Sequence, residues 1–201
     1  MMNKRTRAKR TVFQLVCMLV MLAAAPLAQA HILPGQMVGL AHGLAHPFTG
    51  MDHLAAMVAV GFWATQCGGR AIWLVPLSFV TAMSIGGAIG MSGMTVPFIE
   101  SGIAASVLVL GLLIAAAVRL PLAASSILVG SFALCHGIAH GAEMPVNASG
   151  LAFGVGFVLS TIVLHGWGIA LGLLARTWGS PRFVQYAGAG AAAFGLYLFI
   201  V

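Results

Sequence analysis

Six apolar runs of membrane-crossing length, parted by short turn-forming stretches, constrain this chain more than any other feature. A helix needs ~20 apolar residues, within a range of ~17–25, to cross the hydrocarbon core of a bilayer. Candidate spans lie at about 51–67, 71–91, 99–118, 122–142, 150–175 and 183–201. Between them stand Cys67-Gly68-Gly69-Arg70, Gly93 to Pro97, Arg119-Leu120-Pro121, Met144-Pro145-Val146-Asn147 and Gly179-Ser180-Pro181, all rich in turn signals. Charged residues make up 6% of the chain and hydrophobic ones 61%, whereas a soluble domain carries ~25% charged residues. A soluble core cannot bury that much apolar surface, so the solvent is largely lipid.

The N-terminus has three parts in order. Lys4, Arg5, Arg7, Lys9 and Arg10 form a basic stretch, an apolar run extends from Val12 to about Ala25, and Ala28-Gln29-Ala30 is an A-x-A cleavage signature. This order predicts a secretory signal peptide over 1–30, removed after Ala30. The remainder then holds Arg70, Arg119, Arg176 and Arg182 against Asp52, Glu100 and Glu143. No basic face is left for nucleic acid, and that class is excluded. Cytoplasmic loops are enriched in Lys and Arg. With residue 31 outside, all four arginines fall in alternate loops on the inner side. The expected fold is an all-α integral membrane protein: six transmembrane helices after a cleavable N-terminal signal peptide. Residues 31–201 form one domain with both mature ends periplasmic, and 31–45 are a short periplasmic or re-entrant segment. Small residues recur four apart at Gly86 and Gly90, Gly137 and Gly141, Gly150 and Gly154, and Gly168 and Gly172, which suits close packing of membrane helices. Cys17 leaves with the signal. Cys67 and Cys135 belong at opposite ends of their helices, so no disulfide is expected.

Against this apolar background two histidine- and acid-bearing stretches stand out. The first is His46-Pro47-Phe48-Thr49-Gly50-Met51-Asp52-His53. Imidazole with carboxylate is a ligand set for Ni, Cu, Zn or Fe, and ionisable groups within membrane segments mark functional sites by default. The second stretch carries His136, His140 and Glu143, whose i, i+4 and i+3 spacings place them on one helix face. The topology puts both stretches at the periplasmic side, so two clusters distant in sequence reach one membrane depth. The shared pattern His42-Gly43-Leu44-Ala45-His46 and His136-Gly137-Ile138-Ala139-His140 does not fit an inverted repeat, because both copies lie at the outer face.

Other candidates have a plain explanation beside the functional one. Glu100 opens a helix, where the dipole favours a carboxylate by ~0.3–1 kcal/mol. His42 stands four residues before His46 and is a candidate further ligand, or a solvated histidine. His165, in mid-helix, suits an interhelical hydrogen bond or a step in permeation. His31, as a new N-terminus, has an amine and a ring nitrogen for chelation. Cys135 reads as a buried thiol. Met51, Met57, Met91, Met94 and Met144 suggest copper, but Met is a common apolar filler.

Residues His46 to Gly61 closely resemble the signature of the HupE/UreJ family, and His136 to Glu143 resemble its second motif, with Cys135 standing where the family pattern has Phe. The resemblance extends over the whole chain. It implies a bacterial inner-membrane permease for nickel, or in some members cobalt, serving hydrogenase or urease assembly. It also implies metal-site roles for His46, Asp52, His53, His140 and Glu143, and family members carry an acid where Glu100 stands. The metal is then transported substrate, with no permanently bound cofactor, in a lipid-embedded protein that is not an enzyme. Two rival readings are an intramembrane metalloenzyme and a haem-binding membrane protein. Against the first, no His-Glu-x-x-His sequence is present. Against the second, acids stand beside the histidines.

Overall fold

The structure, a computed structural model, describes residues 36–94, 96–144, 148–178 and 181–200. The signal-peptide stretch 1–30 and His31 lie outside the described residues. Seven α-helices follow in order among the described residues: α1 (Gln36–Ala45), α2 (Met51–Cys67), α3 (Ala71–Met91), α4 (Ile99–Ala115), α5 (Leu122–Glu143), α6 (Ala148–Trp178) and α7 (Pro181–Leu198). A single 3-10 turn, His46–Phe48, joins α1 to α2. The helices α2 to α7 coincide closely with the six apolar runs. α3, α5 and the Gly150–Thr177 stretch of α6 are long and apolar enough to cross a membrane, while α4 is apolar and shorter. α4 ends three residues before the expected 118, because Ala117 adopts a positive φ of 50° that turns the chain ahead of Arg119.

Glycines set the helix pairing. A Cβ on Gly61 of α2 would overlap the His165 carbonyl of α6, and one on Gly168 would overlap the Val58 carbonyl. Further along the same pair, Thr65 meets Gly172, so α2 and α6 run parallel. α3 and α5 also run parallel, with Gly86 against Leu134 and Gly90 against Ile138. α4 and α7 run antiparallel, with Gly188 at Ala115 and Gly195 at Leu108. These directions agree with strict alternation of the six long helices. Close backbone contact lets dispersion act between helices where lipid removes the hydrophobic driving force.

The core holds Met57, Val60, Trp63, Phe79, Met83, Leu110, Val129, Phe157 and Leu164. Trp73, Leu77, Ile85, Ile127, Leu151 and Leu159 point outward and are exposed, an apolar exterior suited to lipid. At the end opposite Asp52, polar groups tie the bundle. The Trp63 indole donates to the Val118 carbonyl at 2.9 Å, Gln66 to the Ile114 carbonyl at 3.3 Å, and Arg176 to the Thr65 carbonyl at 3.4 Å. Among the described residues Cys67 and Cys135 are free. Cys67 Sγ lies 3.9 Å from Ser125 Oγ, near the opposite end of α5 from Cys135.

The stretch 31–45 is expected as a short periplasmic or re-entrant segment, and its described part is α1. It is a ten-residue helix antiparallel to α6, with Gly43 at Phe153 and Gly156 at the Leu40 carbonyl. Ser160 donates to the Leu44 carbonyl at 2.6 Å. This packing fixes where α1 stops, and so where His46 begins.

Candidate metal centre

α1 stops at Ala45 because Pro47 follows within the next turn. His46–Phe48 wind as a 3-10 turn with Pro47 buried, and the Thr49 hydroxyl donates to the His46 carbonyl at 2.7 Å. Gly50 then caps α2 in an extended conformation. The turn aims the His46 ring at the end of α5. His46 Nε2 lies 3.1 Å from His140 Nδ1 and 3.6 Å from Glu143 Oε2, and His140 Nδ1 lies 3.4 Å from the same carboxylate oxygen. The three ligand atoms all fall within 4.8 Å of one another. Two imidazole nitrogens and one carboxylate oxygen so gathered form a donor set for a late transition-metal cation. Phe153 and Phe157 wall the His46 ring, with centroids at 5.4 and 5.9 Å. Glu143 is exposed, which leaves the group open on that side.

The second half of the first motif sits one step further in. Asp52 Oδ1 accepts from the His53 backbone N–H at 2.8 Å and from His53 Nδ1–H at 2.7 Å. That bond leaves the buried Nε2 with a bare lone pair and no partner among the described residues. A carboxylate behind an imidazole is the arrangement that fixes tautomer and ring orientation in metal-binding histidines. Gly50 belongs to this arrangement, because a Cβ there would lie 2.8 Å from Asp52 Oδ1 and 2.9 Å from His53 Nδ1. The His53 ring stands 4.3 Å from that of His140 and 4.9 Å from that of His136.

His136 is held in a definite tautomer as well. The Ser106 hydroxyl donates to the Ile103 carbonyl at 2.6 Å, so its oxygen accepts from His136 Nε2–H at 3.1 Å. His136 Nδ1 is then a second buried lone pair without a partner among the described residues, where His140 Nε2 has none either. Glu100 stands in the first turn of α4 and shares with Asp52 a cavity of about 180 Å³, also lined by Ser101, Ala104, Leu198 and Phe199.

A profile of the family described as HupE / UreJ protein matches residues 19–198. The chain belongs to the HupE/UreJ family. It is 41% identical over 183 residues to Protein HupE of Rhizobium leguminosarum bv. viciae, covering 90% of this chain and 95% of that protein. No solved structure matches it.

In this HupE/UreJ protein the six residues His46, Asp52, His53, His136, His140 and Glu143, taken from two distant motifs, adjoin one another. His42 lies outside that group. It stands one helical turn before His46 on α1, and its side chain is exposed. His165 is buried inside the bundle, where its ring and that of His136 both pack against Phe79. Two contributors were missed from sequence. Ser106, which orients His136, carries no motif signal. Phe79 packs its ring 5.6 Å from that of His136 and 5.0 Å from that of His165, and one apolar residue in a long apolar run gives no cue.

Proposed function

We propose that this HupE/UreJ protein is a permease carrying a divalent transition-metal ion, nickel or cobalt, inward across the bacterial inner membrane to supply hydrogenase or urease assembly. The ion is substrate and not a resident cofactor, and the protein acts as a carrier and not as an enzyme. The chain works as one domain, 31–201, of six transmembrane helices after a signal peptide at 1–30, with the mature N-terminus in the periplasm. The convergence of His46, His140 and Glu143 carries this reading, since it joins two sequence-distant motifs at one end of the bundle.

Asp52, Glu100 and Glu143 attract the cation to that end, and Glu143 with Asp52 offsets its two charges. His46 and His140 replace part of the hydration shell, and His53, backed by Asp52, offers Nε2 to the ion from deeper inside. Each position binds weakly enough to pass the ion on. No Gly-rich nucleotide loop is present in the sequence, and the membrane potential is sufficient drive. It is worth ~2.3 kcal/mol per charge per 100 mV, so about 4.6 kcal/mol for a divalent ion. At ~1.4 kcal/mol per tenfold this sustains roughly a 10³-fold gradient.

Uptake of radioactive nickel by cells lacking their own importers tests the reading, with wild type, Asp52→Ala and Glu143→Ala at equal membrane abundance. Wild type accumulates nickel and each variant loses at least tenfold. A wild type that accumulates neither nickel nor cobalt rejects the permease.

A further inference from the structure

His165 occupies the middle of α6 and is 2% exposed, yet neither of its ring nitrogens has a hydrogen-bond partner among the described residues. A histidine kept in a membrane bundle for packing bridges helices through its ring, and this one does not. Its surroundings are two i, i+4 pairs facing each other. On α3 stand Phe79 and Met83, and on α6 stand His165 and Thr161. The Phe79 and His165 ring centroids are 5.0 Å apart, and Thr161 Oγ1 lies 3.7 Å from Met83 Sδ. An imidazole, a thioether and a hydroxyl, the last also donating to the Phe157 carbonyl at 2.9 Å, therefore border one buried locus between α3 and α6.

This locus adjoins the outer cluster through His136, which, with its bare Nδ1, flanks the same Phe79 ring at 5.6 Å. The depth is also fixed. Gly61 of α2 abuts the His165 carbonyl, and Gly61 is eight residues beyond His53. At 1.5 Å per residue His165 lies about 12 Å further into the bundle than His53.

We propose that His165, with Met83 and Thr161, forms a second cation-binding position at mid-bundle, which receives the ion from His136 and is distinct from the outer group of His46, His140 and Glu143. The proposal rests on the permease reading. Nitrogen and thioether donors without a carboxylate select late transition cations such as nickel, cobalt or copper over magnesium and calcium, which take oxygen ligands. A neutral inner site after an acidic outer one also holds the cation less firmly, as onward release requires.

The test uses the full-length protein purified in detergent and then in vesicles with an imposed potential, inside negative, with nickel(II) or cobalt(II) chloride as the probe. His165→Phe keeps ring volume and removes both nitrogens. His165→Gln is the second variant should the first not fold, as judged by its elution profile and thermal unfolding. Wild type binds two equivalents of cobalt, and excess magnesium displaces neither. The variant binds one, with the outer affinity unchanged within threefold, and its nickel uptake falls at least tenfold. A folded variant that keeps two equivalents, or transports like wild type, overturns the inner site and leaves the permease standing. A wild type that binds one equivalent does the same. A wild type that neither binds nor transports either metal removes both readings.

Discussion

Replacing Asp52 by Asn isolates what a single negative charge contributes behind the imidazole of His53, proposed above to meet the ion. The amide keeps an acceptor oxygen for the two hydrogen bonds that Asp52 Oδ1 now accepts at 2.7 and 2.8 Å, so the fold and the His53 tautomer persist while the charge is lost. Crossing the imidazole from that oxygen, 2.7 Å from Nδ1, to a cation ~2 Å beyond Nε2 gives a separation of about 7 Å. A single negative charge at that distance from a divalent ion is worth roughly 1 kcal/mol at water's permittivity of ~80 and roughly 5 at an effective value of ~20. The site is half open, so the lower part of that range applies, and carboxylates behind metal-bound histidines typically contribute 10–100-fold in affinity, about 1.4–2.7 kcal/mol. Equilibrium dialysis of the purified protein against radioactive nickel should therefore show a Kd raised 10–100-fold in Asp52→Asn, with an unchanged melting temperature. An unaltered Kd, in this variant and in Asp52→Ala alike, would refute the role given to the carboxylate.

Gly50→Ala should weaken nickel binding by about tenfold without lowering thermal stability, because the added methyl displaces the Asp52–His53 pair; the same dialysis decides it. His42→Ala, by contrast, should bind and transport nickel as wild type does, since the residue is exposed and outside the ligand group. Gly61→Ala should lower stability by ~1–3 kcal/mol, the usual cost of overpacking, as its Cβ meets backbone of α6, while Gly190→Ala on α7 meets nothing within 4 Å and should be neutral. Thermal unfolding of the two variants in detergent compares them directly.

The helices were legible because apolar runs of fixed length end at Gly, Pro and Arg, and those signals act locally. The pairing of His46 with His140 was legible for another reason: the alternating arginines fix which helix ends share a face, and that brings the two motifs to one end before any packing is known. Rotation about each helix axis was not legible. It decides that His53 touches the rings of both His140 and His136, and that Phe79 stands between His136 and His165. It is set by which glycines meet which carbonyls, as where Gly61 abuts His165. α1 was hidden for the same reason. Ten residues that include Gly39, His42 and Gly43 make a weak helix alone, and contact with Phe153 and Gly156 of α6 stabilises it.

The central claim is that two motifs 94 residues apart hold one ion between them, and a double-mutant cycle on nickel affinity tests it most directly. His46→Ala, Glu143→Ala and the double variant are measured by equilibrium dialysis with the wild type. If both side chains touch the same cation, each single substitution disables the outer site, and the double variant binds no more weakly than the worse single one, a strongly non-additive cycle. If the two losses simply multiply, the residues act at separate places, and the shared site is contradicted.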